Sequence, residues 1–192
     1  MRNLIRTAFA LVIALCAAQA TAQNYPSGPV KLIVPVPAGG VTDVMARVIG
    51  QRLQEMWGQS VVVENRPGGN YGVGTQAVER SPADGLTLLV APDSTYTANP
   101  ALFSKLIYSP DNITPIALLC RGTPMLMVNP SLPVKNVSEL VAYSKANPGK
   151  LSYGSFGTGT YSQLSMEDLK QRTGMDIQHV PYKGAAPGLN GL

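Results

Sequence analysis

Between residues 30 and 57 the chain changes its hydrophobic period once. Lys31-Leu32-Ile33-Val34 is a short, apolar, β-branched run of the kind that forms a buried strand. From Val41 onward, Val41, Val44, Met45, Val48, Ile49 and Leu53 recur at helical spacing. Pro35-Val36-Pro37-Ala38-Gly39-Gly40 joins the two, so the order is strand, glycine turn, helix. Further on, Ser60 to Glu64 is strongly β-branched, a short helix is expected over about Gly72 to Arg80, and Leu86 to Ala91 is another strand. Asn99-Pro100-Ala101 places proline in the first turn of a helix. Ile113 to Cys120, a strand-like stretch, and Met125 to Val128 are two further apolar runs. Arg121-Gly122-Thr123-Pro124 between them is the expected crossing between lobes.

The second half repeats the alternation. Val137, Leu140, Val141 and Ser144 fit a helix begun by Asn136 or Ser138 and ended at Asn147-Pro148-Gly149. Lys150 to Tyr153 reads as a strand, Gln163 to Lys170 as part of a helix, and Met175 to Val180 as the next strand. Strands alternating with helices predict an α/β fold with helices on the sheet faces. Ligands of such sheets sit at the carboxyl ends of the strands.

Two stretches at those ends carry the chemistry. In the first, Gly39 and Gly40 permit positive φ and close backbone approach. Thr42 and Asp43 suit the first helical turn, where oxygens cap amides and acids complement the dipole. The second is Gly154-Ser155-Phe156-Gly157-Thr158-Gly159-Thr160, which offers amides and hydroxyls without permanent charge. Either stretch alone is also what an ordinary βα turn looks like. Two of them on separate halves suit an anion gripped from both sides.

Enzyme patterns fit poorly. No segment supplies a Walker phosphate loop, and the first turn lacks Gly-x-Gly-x-x-Gly. Tyr153 stands where a nucleophile elbow around Ser155 needs glycine. His179, the sole histidine, reads as structural, because no triad or metal cluster assembles around it in sequence. Cys120 reads as buried packing.

The N-terminus changes the picture of compartment. Arg2 and Arg6, the apolar run Ala8 to Ala18, and Ala20-Thr21-Ala22 before Gln23 have the layout of a cleaved secretory signal over residues 1–22. Leu15 before Cys16 argues against lipidation. No later run is long and apolar enough for a span. Cleavage leaves Cys120 as the only cysteine, which excludes an intrachain disulfide. It also lowers the basic count from 15 to 13 against 11 acids, a formal charge of +2. With no dense basic patch, nucleic-acid binding is not expected.

Several short motifs occur together in a fixed order: Tyr25-Pro26-Ser27-Gly28-Pro29-Val30, Pro35 to Asp43, Val63-Glu64-Asn65-Arg66-Pro67-Gly68, Asn99-Pro100-Ala101-Leu102, Val128-Asn129-Pro130-Ser131-Leu132-Pro133, Asn147 to Leu151, Tyr153-Gly154-Ser155 and His179-Val180-Pro181-Tyr182-Lys183-Gly184. In this order they resemble the Bug-type periplasmic solute-binding proteins, receptors of tripartite tricarboxylate transporters. The resemblance implies a two-lobed α/β Venus-flytrap, with residues 23–122 in the first lobe and 123–192 in the second. It implies a non-enzymatic receptor in the periplasm, without a cofactor or metal, that closes over a small carboxylate and delivers it to transporter membrane subunits. Ligand sensing or protein interaction is the alternative class. Gly39, Gly40, Asp43 and Thr95 would line one side of the cleft. Ser155, Gly157, Thr158, Gly159 and Thr160 would line the other. Asp43 has three open roles: orienting a loop and its water, binding a ligand amine, or capping its helix.

The chain departs from the resemblance in places. Asn65 to Gly74 is short, Asp93-Ser94-Thr95-Tyr96 adds a carboxylate near the cleft, and Gln163 stands where a histidine is frequent. Family chains also continue beyond Pro181 to Gly184. The expectation is therefore a C-terminally truncated receptor, poorly cooperative and prone to associate, with a truncated non-functional product as the extreme case.

Overall fold

The computed structural model describes residues 25–192. The expected signal peptide and its cleavage site before Gln23 lie outside the described residues. Two parallel sheets organise the chain. The first has three strands: β1 (Val30–Val34), β2 (Val61–Asn65) and β3 (Thr87–Leu89), in the order β2-β1-β3. Its helices are α1 (Val41–Trp57), α2 (Gly72–Glu79) and the short α3 (Ala98–Leu102). The second sheet pairs β4 (Ser152–Ser155) with β5 (Gln178–Pro181). Around it lie α4 (Val137–Ala146), α5 (Tyr161–Thr173) and α6 (Ala185–Asn190).

β1 is the central strand of its sheet, and every residue of it but Lys31 is buried. A strand covered on both faces has no use for alternation, which is why Leu32-Ile33-Val34 is continuously apolar. Val30, Leu32, Val34, Ala46 and Val90 form the first core. Leu140, Tyr153, Met166, Met175 and Ile177 form the second. Asn136 caps α4 by accepting the Glu139 amide at 2.9 Å, and Glu139 reaches back to the Lys135 amide. Both helices that follow a glycine turn end on a left-handed glycine, Gly58 after α1 and Gly174 after α5.

Three expectations need correction. The helical period of α1 is right, but its phase is not. The face on the sheet is Asp43, Ala46 and Gly50, whereas Val41, Val44 and Val48 are exposed. The two triplets have identical spacing and are offset by two residues, roughly 200° around the helix. Gly50 decides the outcome: a Cβ there would lie 3.3 Å from Leu32 and 3.4 Å from Val61, so the helix approaches the sheet through its smallest residues.

The runs Ile113 to Cys120 and Met125 to Val128 are not strands. They have no ladder partners among the described residues, and Ile116 and Met125 are each 80% exposed. Cys120 is exposed as well, not buried. A β-branched, apolar run becomes a strand only where a neighbouring backbone accepts and donates its hydrogen bonds. His179 does lie in a strand, β5, and its ring is in contact with Ser155, as described below.

Candidate functional site

Both glycine turns leave the carboxyl end of a strand and enter a helix. In the first, the chain passes through a buried Pro35 to Gly39, whose φ of +87° lies in the left-handed region. Gly40 is the N-cap of α1 and has no side chain with which to cap it. The amides of Val41, Thr42 and Asp43 consequently have no acceptor among the described residues, and the first bond of the helix runs from the Val44 amide to the Gly40 carbonyl.

Asp43 closes the turn. Its buried carboxylate accepts the Gly39 amide at 2.9 Å, Arg47 Nε at 3.1 Å and Nη2 at 3.0 Å, and Asn65 Nδ2 at 2.9 Å. Asn65, at the end of β2, also donates to the Val36 carbonyl and accepts from Arg47. Burial alone pushes the Asp43 carboxyl up; the hydrogen bonds from Arg47, the Gly39 amide and Asn65, with the Arg47 charge, outweigh it and bring the pKa down to about 2. Among its three open roles, the geometry gives Asp43 that of orienting the loop. Arg47, four residues on, was legible as a helical partner; the part of Asn65 was not, because it arrives from another strand.

Thr95 follows β3 in a short 3₁₀ turn, Asp93–Thr95, and is fully buried. Its carbonyl accepts from the Tyr108 hydroxyl at 2.7 Å. Asn99 donates to that hydroxyl at 3.2 Å and to the Asn70 carbonyl at 2.6 Å. Thr95 Oγ1 and Asn99 Oδ1 are buried without a hydrogen-bond partner among the described residues. Asp93, the added carboxylate, is exposed.

The second turn is wired by neutral groups. Ser155 Oγ lies 2.7 Å from His179 Nε2, 3.2 Å from the Gly157 amide and 3.1 Å from the Gly157 carbonyl. The Gly159 amide donates to Gln163 Oε1 at 2.6 Å, and Gln163 Nε2 lies 3.3 Å from His179 Nδ1. Thr160 donates to the Gly157 carbonyl, and the Phe156 amide donates to Ser162. The His179 ring stacks on Tyr153 with centroids 4.9 Å apart. The Tyr153 hydroxyl meets Glu167, which Lys170 also contacts at 3.1 Å. Burial, then Glu167, push that phenol well up. The amides of Thr158, Tyr161, Ser162 and Gln163 have no acceptor among the described residues, and the exposed Thr158 hydroxyl has no partner there either.

The two turns meet elements of the opposite sheet's half of the chain. A Cβ on Gly159 would lie 3.3 Å from both Leu102 and Phe103 at the end of α3. A Cβ on Gly184, beyond β5, would lie 3.5 Å from Pro37 in the first turn. The expected residues thus divide into those that shape the turns (Gly39, Gly40, Asp43, Ser155, Gly157, Gly159, Thr160), one with a free exposed hydroxyl (Thr158), and one enclosed beneath the surface (Thr95). No group of three or more His, Cys, Asp or Glu residues could hold a metal among the described residues. No described helix is long and apolar enough to cross a membrane.

The chain is similar to known proteins over most of its length. A UPF0065 protein of Bordetella pertussis is 38% identical over 190 residues, covering 99% of this chain and 59% of the relative. Three solved structures superpose on it. Rpa4515 of R. palustris with adipate has a TM-score of 0.76 at 34% identity, over 88% of this chain and 56% of that one. The periplasmic binding protein BugD has 0.73 at 32%, over 88% and 56%. MatC from Rhodopseudomonas palustris with bound malate has 0.73 at 32%, over 88% and 57%. The chain spans about half the length of the curated relatives it matches. The fold is that of the periplasmic binding proteins, and these relatives are solute receptors, not enzymes. Residues 45–192 match the tripartite tricarboxylate transporter family receptor, and the chain belongs to that family, in its Bug-type branch.

Proposed function

We propose that this chain is a periplasmic receptor that captures a small carboxylate for a tripartite tricarboxylate transporter. The observation that carries the reading is the pair of glycine turns. Each presents amides without acceptors at a helix N-terminus, and neither presents an unpaired cation or acid of its own. Such amides, at the positive end of a helix dipole, suit an anion. The related structures with adipate and with malate support a carboxylate as that anion.

In this reading residues 23–122 form the first lobe and 123–192 the second, and a ligand touching both turns favours the closed arrangement. The amides around Gly39-Gly40 and Thr158-Gly159 bind, as does the Thr158 hydroxyl. Asp43, Ser155, Gly157 and Thr160 hold the turns in shape, and Thr95 is enclosed after β3, its Oγ1 without a hydrogen-bond partner among the described residues. Transporter membrane subunits receive the ligand. Residues 1–22 direct export, so the mature N-terminus is Gln23; a retained Met1, or lipid on Cys16, in N-terminal sequencing of the exported protein rejects this part.

The test of function is thermal. Small mono- and dicarboxylates, adipate and malate among them, raise the melting temperature of the exported protein, as any ligand specific to the native state does by mass action. A broad carboxylate screen without a shift rejects the reading.

A further inference from the structure

The hydrogen bonds of the second turn fix the proton on its one histidine. The Gly159 amide is a donor, so the Gln163 atom 2.6 Å from it is the amide oxygen. The Gln163 NH₂ group therefore faces His179 Nδ1 at 3.3 Å, which makes Nδ1 the acceptor. The ring proton is then on Nε2 and is donated to Ser155 Oγ at 2.7 Å. Ser155 Oγ also accepts the Gly157 amide, and its own proton goes to the Gly157 carbonyl. Each of these donors has an acceptor, and the scheme closes only with a neutral imidazole.

We infer that His179 and Gln163 are positioning residues that set Gly157 and Gly159 for ligand binding, and that protonating His179 releases this setting. A second ring proton at Nδ1 meets the Gln163 NH₂, donor against donor. Flipping the Gln163 amide relieves that contact but turns its NH₂ group onto the Gly159 amide. Either way one bond holding the turn is lost. Histidine is the side chain whose charge ordinarily changes near neutral pH.

The ionisable groups around the ring are few. Tyr153 on β4 stacks on it. Glu167 on α5 meets the Tyr153 hydroxyl, and Lys170 lies 5.6 Å from the Tyr153 ring centroid. Asp176 and Lys183 flank β5 and are exposed, and α6 carries no ionisable side chain. The inference rests on the carboxylate reading for its purpose but not for its test.

The test follows the imidazole ¹⁵N signals of His179 and the amide signals of Gly157 and Gly159 through a pH titration of the ligand-free protein. The expected result is the Nε2–H tautomer at high pH, with both glycine amides moving at the midpoint of His179. Gln163→Leu is expected to speed exchange of the Gly159 amide about tenfold at fixed pH, the loss of one hydrogen bond. Gln163→Glu presents a carboxylate that accepts from Gly159 and from a protonated Nδ1 together. It is expected to raise the His179 midpoint and to hold the glycine amides in place on acidification. An Nδ1–H tautomer, or glycine amides indifferent to the His179 titration, overturns the inference. Adipate binding measured in parallel separates the two readings. Binding without co-titration rejects the positioning role alone, and co-titration with no carboxylate bound upholds that role while rejecting the ligand.

Discussion

The two glycine turns reach the same backbone shape with opposite electrostatics. The first is held by a buried carboxylate, a guanidinium and an amide: Asp43, Arg47 and Asn65. The second is held by a hydroxyl, an imidazole and an amide: Ser155, His179 and Gln163. In each case a side chain from the following helix reaches back four residues to a glycine-turn amide, Asp43 to Gly39 and Gln163 to Gly159. The difference lies in what supports that side chain. The first is a charge-assisted network, strong until its carboxylate protonates, whereas the second contains neither a carboxylate nor a guanidinium. The two turns thus rest on supports of different chemistry, one charged and one without permanent charge of that kind.

The sharpest break of that contrast is steric. Gly74 on α2 lies under the first turn, where a Cβ would come 2.8 Å from Pro35 Cβ and 2.9 Å from the Arg66 carbonyl. Backbone and a proline ring offer little room to yield. Gly154 on β4 meets only the Tyr182 ring, at 3.1 Å. Gly74→Ala is expected to destabilise by about 3 kcal/mol and Gly154→Ala by about 1 kcal/mol, the range for overpacking against rigid and movable neighbours. Urea titrations of both variants check this. Equal losses remove the idea that the first turn is the stiffer.

Next in size is the carboxylate itself. Asp43→Ala strands the Gly39 amide, Asn65 and Arg47, and because the Arg47 side chain is 52% exposed the cost falls to about 2 kcal/mol, below that of a fully buried pair. The same group predicts acid behaviour. The folded pKa, about 2, is below the ordinary value of 3.8, so the stabilisation is complete above about pH 4 and is lost as pH falls through 2. The shift corresponds to about 2 kcal/mol over that window. Denaturation of the parent and of Asp43→Asn at pH 5, 3 and 2 checks it: the parent is expected to lose more, and parallel slopes defeat the assignment.

How much of this was legible in the sequence depends on how local each feature is. Both strand–turn–helix units were readable, since Leu32-Ile33-Val34 and the glycines carry their own signal. The family resemblance was readable from ordered motifs. The phase of α1 was not, because two triplets share one spacing and only the sheet selects between them. Residues 113–128 misled for a related reason: composition reports fitness for a strand, and a partner decides whether one forms. Cys120 was misplaced with its run. The link from Ser155 to His179 crosses 24 residues and depends on the β4–β5 register, which pairs Tyr153 with His179. No periodicity encodes that register.

The smallest expected effects separate shape from contact within the second turn. Ser155 is buried and its hydroxyl is fully engaged, so Ser155→Ala is expected to cost about 1 kcal/mol of stability and, by loosening Gly157, about 0.5–1.5 kcal/mol of carboxylate binding. The Thr158 side chain is exposed, with no hydrogen bond among the described residues, so Thr158→Ala should leave stability within about 0.5 kcal/mol of the parent. If its hydroxyl donates to a bound carboxylate, the same change still weakens binding by about 0.5–1.5 kcal/mol, roughly two- to tenfold. Paired measurements of urea midpoint and carboxylate affinity on the two variants decide the matter. A Thr158→Ala protein of parental stability and parental affinity removes Thr158 from the ligand and leaves the backbone amides as the donors of that turn.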